Sequence, residues 1–291
     1  MDSLAFFNNK GGVGKTTLLC NVAAYYALES KLNVLVVDAD PQCNATQYMF
    51  DDDKLNYFYE QTSSFTIYNV IRPLSLGKGY SKELNIYRSE RFGVDVLPGD
   101  PRLALTEDLL ARDWSSATGG DPRGIRTTLL FAELLEKCEQ YDLVIFDVGP
   151  ALGSINRAVL LATDYFVSPM SIDIFSVKAI ENIAVWLARW SKQWETGLDL
   201  AHDQNAEDIE DLEIKTQRDL KFIGYVSQQY IAKRDASGTK RAVSAYDKIM
   251  SQFDSIIREK LLSNALKERV SDDYNLGSVP NLHSLMPMSQ T

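Results

Sequence analysis

The chain has 291 residues, of which 45% are hydrophobic and 24% charged, and carries a net charge of −10. This is globular composition, enough for one large α/β domain or two small ones, and it excludes a membrane span, which needs about eighteen apolar residues in a row. Met1-Asp2-Ser3 lacks the basic start of a secretion signal, and the scattered Cys20, Cys43 and Cys138 offer neither a disulfide framework nor a C-x-x-C metal site, so a cytoplasmic protein is expected.

Short apolar runs alternate with amphipathic segments, the pattern of parallel β-α-β units. Leu4-Ala5-Phe6-Phe7 reads as a first strand. Leu18, Leu19, Val22, Ala23 and Tyr26 have helical spacing within 17–30. Val34-Leu35-Val36-Val37 is a second buried strand, closed by Asp38-Ala39-Asp40-Pro41. Residues 50–92 are tyrosine-rich without a sustained period and read as an irregular excursion with short helices. Val94-Asp95-Val96-Leu97 is a further strand, 103–112 a helix, and 113–124, rich in Ser, Gly, Asp and Pro, a loop by composition. A helix marked by Leu130, Phe131, Leu134, Leu135 and Cys138 leads into the strand Leu143-Val144-Ile145-Phe146-Asp147. Tyr165-Phe166-Val167 is the next strand, followed by a helix with Val177, Ile180, Ala184, Leu187 and Trp190 on one face. Residues 195–219 are strongly acidic and read as a surface insertion. Phe222-Ile223-Gly224-Tyr225-Val226 is a late strand, and Ile249, Phe253, Ile256, Ile257 and Leu261 mark a late helix. No internal repeat is visible, so one domain over 1–291 with two insertions is expected.

Residues 10–17 carry the chemistry: Lys10-Gly11-Gly12-Val13-Gly14-Lys15-Thr16-Thr17, between a strand and a helix. Glycines at this spacing let successive backbone N–H groups converge on phosphate oxygens, and the helix N-terminus adds its positive end. Lys15 is placed to reach the β- and γ-phosphates of ATP, and the Thr16 hydroxyl to ligate Mg²⁺. Alternation along the extended chain puts Asp38 and Asp40 on one side, facing the same region. Leu143-Val144-Ile145-Phe146-Asp147 is four apolar residues ending in an acid, the pattern of a strand whose Asp147 holds Mg²⁺ through water.

The loop departs from the general G-x-x-x-x-G-K-[ST] pattern, with Asn9 at the first glycine position and Lys10 after it. With that second lysine, the Asp38-Ala39-Asp40-Pro41-Gln42 segment and the switch-like Asp147-Val148-Gly149-Pro150-Ala151-Leu152-Gly153, the sequence resembles the ParA/MinD family of ATPases. It is nearest the short ParA-type partition proteins. Gly149 stands where the family has a proline, which should loosen the switch backbone.

The resemblance implies an α/β phosphate-loop NTPase fold with a mostly parallel central sheet and helices on both faces. It implies ATP and Mg²⁺ as cofactors, hydrolysis with Asp40 orienting the attacking water, and Asp38 helping to hold the hydrated metal. It implies an ATP-bound homodimer in which Lys10 contacts the partner subunit's nucleotide. It further implies non-specific DNA binding through a basic patch, Lys233, Arg234, Lys240 and Arg241, and a ParB-like activating partner. Gln228 and Pro280 match positions near the adenine, with Asn281 in place of the family's arginine. The family continues several dozen residues past this last loop, whereas this sequence stops at Thr291. An N-terminal operator-binding domain and a membrane-binding basic helix are not expected. The alternative reading is an ATP-gated protein-positioning module that binds no DNA, with 50–92 and 195–219 as partner surfaces.

Overall fold

The computed structural model describes residues 1–61, 64–210, 219–230, 232–234, 240–242, 244–263, 266, 270–271 and 273–280. In chain order the elements begin with β1 (Asp2–Phe6), α1 (Lys15–Leu28), β2 (Val34–Ala39), α2 (Asn44–Met49), α3 (Asp52–Glu60), α4 (Ile67–Ser75), β3 (Tyr87–Ser89) and β4 (Val94–Leu97). A 3₁₀ turn (Pro101–Thr106) leads to α5 (Glu107–Ala117), α6 (Pro122–Thr128), α7 (Leu130–Glu136), β5 (Leu143–Val148), α8 (Ser154–Ala162), β6 (Tyr165–Ser171) and α9 (Ile174–Glu210). Then come β7 (Lys221–Tyr230), β8 (Ala232–Arg234), β9 (Lys240–Ala242), α10 (Ser244–Ile256), continued as a π-helix over Ile257–Leu262, and β10 (Asn275–Pro280).

Eight strands form one sheet in the order β10-β7-β6-β1-β5-β2-β4-β3, parallel throughout except for β3 against β4. Both faces are covered. Along β1 and β2 the period of two sends Leu4, Phe6, Val34 and Val36 into a core shared with α1 and α2. Ala5, Leu35 and Val37 go to the other face, under α5, α7, α8 and α9. This is the α/β architecture expected from the alternating pattern. β1 lies between β5 and β6, so the loop after it opens at the carboxyl end of the sheet's centre, where open α/β sheets bind ligands.

Two stretches differ from their sequence-based reading. Residues 113–124 are not a loop: α5 runs on to Ala117 and α6 starts at Pro122, capped by the Asp121 side chain. One of the three glycines in that stretch is needed for close packing, since a Cβ on Gly124 would lie 2.5 Å from both Ala117 N and Asp113 O. Nor does the acidic stretch interrupt the chain over 195–210, which continues α9. Leu198, Ala201 and Ile209 bury one side, while Asp199, Asp203 and Glu207 are exposed, so a stripe of acid hides an ordinary amphipathic helix. Residues 211–218 lie outside the described residues. The 50–92 excursion holds α3, α4 and the three-residue β3. Among the described residues no helix is long and apolar enough to cross a membrane.

Candidate functional site

The β1–α1 loop begins with Asn8, whose Nδ2 donates to the Pro169 carbonyl on β6 at 2.7 Å while its Oδ1 accepts the Lys10 N–H at 2.9 Å. That ties the loop to the sheet. Gly12 and Gly14 have φ of 73° and 71°, the left-handed region that a side chain strains, and Gly14 is the N-cap of α1. Loop and helix start line a cleft of about 340 Å³ formed by Lys10 to Thr17 together with Asp40, Asn44, Tyr48 and Pro150. That volume is within the range of small-molecule sites.

Beneath the loop the parallel register sets Asp38 directly beside Asp147 at the ends of β2 and β5. The Lys15 ammonium lies 3.3 Å from Asp147 Oδ1, and the Thr16 hydroxyl donates to Asp147 Oδ2 at 2.7 Å. Asp147 is fully buried; burial raises its pKa, and the Lys15 charge and the Thr16 hydrogen bond oppose that rise. The sequence-predicted Lys15, Thr16 and Asp147 therefore converge. Hydroxyl and carboxylate oxygens side by side are the hard donors Mg²⁺ takes, and the glycine cradle above suits phosphate, so these residues fit a magnesium nucleotide.

The two aspartates after β2 part company. Asp40 lines the cleft, with Oδ1 accepting the Gln42 N–H at 2.9 Å. Asp38 turns instead to α2: its Oδ2 accepts from Thr46 N at 2.8 Å and Thr46 Oγ1 at 2.7 Å, and its Oδ1 from Asp40 N at 3.3 Å. Burial, and secondarily the charge of Asp147, push the Asp38 carboxyl up to about 7 against those hydrogen bonds. Thr46 Oγ1 in turn accepts the Gly99 N–H at 2.8 Å, linking this corner to the end of β4. Nearby Cys43 is buried and, also through burial, has its thiol raised to about 12.

The switch-like segment after β5 is held at both ends. Asn156 Nδ2 donates to the carbonyls of Gly149 at 2.7 Å and Ala151 at 2.6 Å. Glu107 on α5 accepts from the backbone N–H groups of Ser154 and Ile155, capping α8. The loosening expected from Gly149 is thus countered by side chains, and the missing proline leaves room for Asp40, whose Oδ1 would lie 3.3 Å from a Cβ at 149.

Elsewhere the placement is mixed. Lys10 reaches the mouth of the cleft and forms an ion pair with Asp173. Gln228, at the end of β7, is 9% exposed and rests on the loop, with Oε1 3.3 Å from where a Gly14 Cβ would be and Nε2 without a hydrogen-bond partner. Pro280 ends β10, paired in register with Tyr230, and Asn281 lies outside the described residues. Lys233 and Arg234 on β8 pair with Arg241 and Lys240 on β9, so an antiparallel ribbon carries all four. Trp190 and Trp194 are core: Trp194 stacks on Trp114 with centroids 5.9 Å apart. His202 is exposed on α9, and His283 lies outside the described residues.

Sequence reasoning missed Asn44, Tyr48 and Pro150 in the cleft wall, and Asp173, Glu107 and Asn156 around it. Asn44 and Tyr48 were findable, being one helical turn apart immediately after the Asp40 segment. Asp173 had no local signal, since it lies 163 residues from Lys10.

Comparison with known proteins identifies the family and the fold. The family model described as an AAA domain matches residues 1–200. The virulence plasmid ParA family protein pGP5-D of Chlamydia psittaci is 30% identical over 187 residues, 63% of this chain and 62% of that protein. The chromosome-partitioning ATPase Soj of Thermus thermophilus is 28% identical over 184 residues, 63% of this chain and 60% of its own length. These matches thus span under two thirds of the curated relatives' lengths. The crystal structure of protein DIP2308 from Corynebacterium diphtheriae superposes with a TM-score of 0.80 at 35% identity, covering 96% of this chain and 93% of that one. With the second-lysine loop, the paired strand-end carboxylates and these relatives together, the chain belongs to the ParA/MinD family of P-loop ATPases.

Proposed function

We propose that this protein is an ATP-hydrolysing, dimerising switch of the ParA type that serves DNA partition. The observation that carries the reading is the convergence of Lys15, Thr16 and Asp147 under a left-handed glycine loop whose mouth carries Lys10. Bound Mg-ATP supplies the transferable phosphoryl group and the cation that neutralises its charge. Backbone N–H groups from Gly11 to Thr17 cradle the phosphates, and the Lys15 ammonium offsets charge on the β- and γ-oxygens. Thr16 and Asp147 hold the metal, with Asp38 stiffening the metal's side of the site from behind. Asp40 orients the attacking water. Lys10 reaches the nucleotide of a second subunit and stabilises charge there, as an arginine finger does. Gln228 and Pro280 border the base. The switch works in the cytoplasm, on the nucleoid when DNA is bound.

The ATP dimer doubles the β8–β9 ribbon with its Lys233, Arg234, Lys240 and Arg241, which offsets an acidic chain and gives a salt-sensitive grip on duplex DNA. A ParB-like partner then stimulates hydrolysis and releases the dimer. The exposed acidic side of α9 favours a second reading, an ATP-gated module that positions a protein partner without touching DNA. Retention on non-specific duplex DNA at low and moderate salt, with ATP and with ADP, separates the two. Retention with ATP that weakens steeply with salt is expected, and no retention with either nucleotide overturns the partition role.

A further inference from the structure

Lys10 lines the mouth of the cleft, yet its ammonium is taken by a carboxylate of its own subunit. Asp173 sits between β6 and α9. Its Oδ1 accepts the Ser176 N–H at 2.9 Å and so fixes the start of α9, leaving Oδ2 to pair with Lys10. Partial burial would raise this carboxyl, but hydrogen bonds from Lys10 and Ser176 and the Lys10 charge outweigh it and hold the group below its ordinary value. The pair is half-open to solvent, 28% exposed on the lysine side and 36% on the aspartate side. The next two residues are Ile174 and Phe175, 51% and 71% exposed. One small surface thus holds the cation that the dimer reading needs on the other subunit, the anion that keeps it at home, and two bare apolar side chains.

We propose that Asp173 is a positioning residue that latches Lys10 in the monomer, and that a second copy of this chain, docking over Ile174 and Phe175, exchanges the latch for contact with its own nucleotide. The latch rests on the dimer reading given above. Its logic is a threshold. A half-exposed ion pair is worth up to about a fivefold factor. Two latches open per dimer, so together they hold back dimerisation by up to about twenty-five-fold. That is strong enough to keep the free protein monomeric at low concentration and weak enough for two bound nucleotides to overcome.

Asp173→Asn tests this, because the amide oxygen can still accept the Ser176 N–H while the charge facing Lys10 is gone. Two measurements on the full chain are needed. The first is Lys10 amine reactivity, read by reductive methylation and mass spectrometry on the nucleotide-free protein. Lys10 should be modified several-fold faster in Asp173→Asn, with the other lysines unchanged. An equal rate overturns the latch. The second is the protein concentration at which ATP gives half dimer. Asp173→Asn should lower it several-fold at low salt, and the gap should close as salt rises, since screening removes an exposed ion pair and not a helix cap. If the wild-type protein dimerises with ATP and the variant's midpoint is unchanged or higher, the latch is overturned and the dimer reading stands. If neither protein dimerises with ATP, the dimer reading falls and the latch with it.

Discussion

Three aspartates at the carboxyl end of the sheet, Asp38, Asp40 and Asp147, have three different environments. Asp147 is buried against Lys15 and Thr16, Asp40 faces the cleft, and Asp38 is buried against Thr46 with Asp147 beside it in register. Asp38 makes a testable statement. In the folded chain it holds its proton to about pH 7, whereas an unfolded aspartate loses it near 4. Between those values the folded state binds the extra proton, so stability falls as pH rises through the window. Urea midpoints of the nucleotide-free protein should decline from about pH 4 to 7, and Asp38→Asn, which has nothing to ionise, should flatten that decline. A slope identical in the variant would mean that Asp38 is ionised throughout.

At the scale of elements, α5 braces both α8 and α9. Its Glu107 caps α8 directly after the Gly149–Gly153 turn, and its Trp114 is sandwiched between Arg157 of α8 at 4.0 Å and Trp194 of α9. α9 comes so close that a Cβ on Gly197 would lie 2.3 Å from the Ala117 carbonyl oxygen. Gly197→Val should therefore force the helices apart, costing about 1–3 kcal/mol and lowering the melting temperature by several degrees; an unchanged melting temperature would show that α9 can shift freely. The same helices mark where the sequence was opaque. β1, β2, β5 and the loop at 10–17 were legible because their signals are local: apolar runs of strand length, and glycines at fixed offsets. The α5–α6 junction and the acidic half of α9 were not, because Gly124 and the acids at 199, 203 and 207 look like loop until the surfaces they pack against or avoid are known. Asp173 was invisible for a related reason, since its meaning lies in a contact that only the sheet order creates.

At the scale of the whole molecule, a chain of net charge −10 carries Lys10 in the wall of its cleft, paired with Asp173, and the two residues that follow Asp173, Ile174 and Phe175, are exposed. Lys15 pairs with Asp147 and Lys10 with Asp173, so the two lysines of the loop have separate partners, and the proposed dimer is what would give the second one a nucleotide to contact. The central claim is that ATP makes this chain a dimer and that hydrolysis, through Asp40, unmakes it. Its most direct test is the solution mass of the protein with ATP and Mg²⁺, with ADP and Mg²⁺, and of the Asp40→Ala variant with ATP. Dimer with ATP, monomer with ADP, and accumulated dimer in the variant are predicted. A wild-type chain that binds ATP but stays monomeric, or an Asp40→Ala variant that cannot form the dimer, would contradict it.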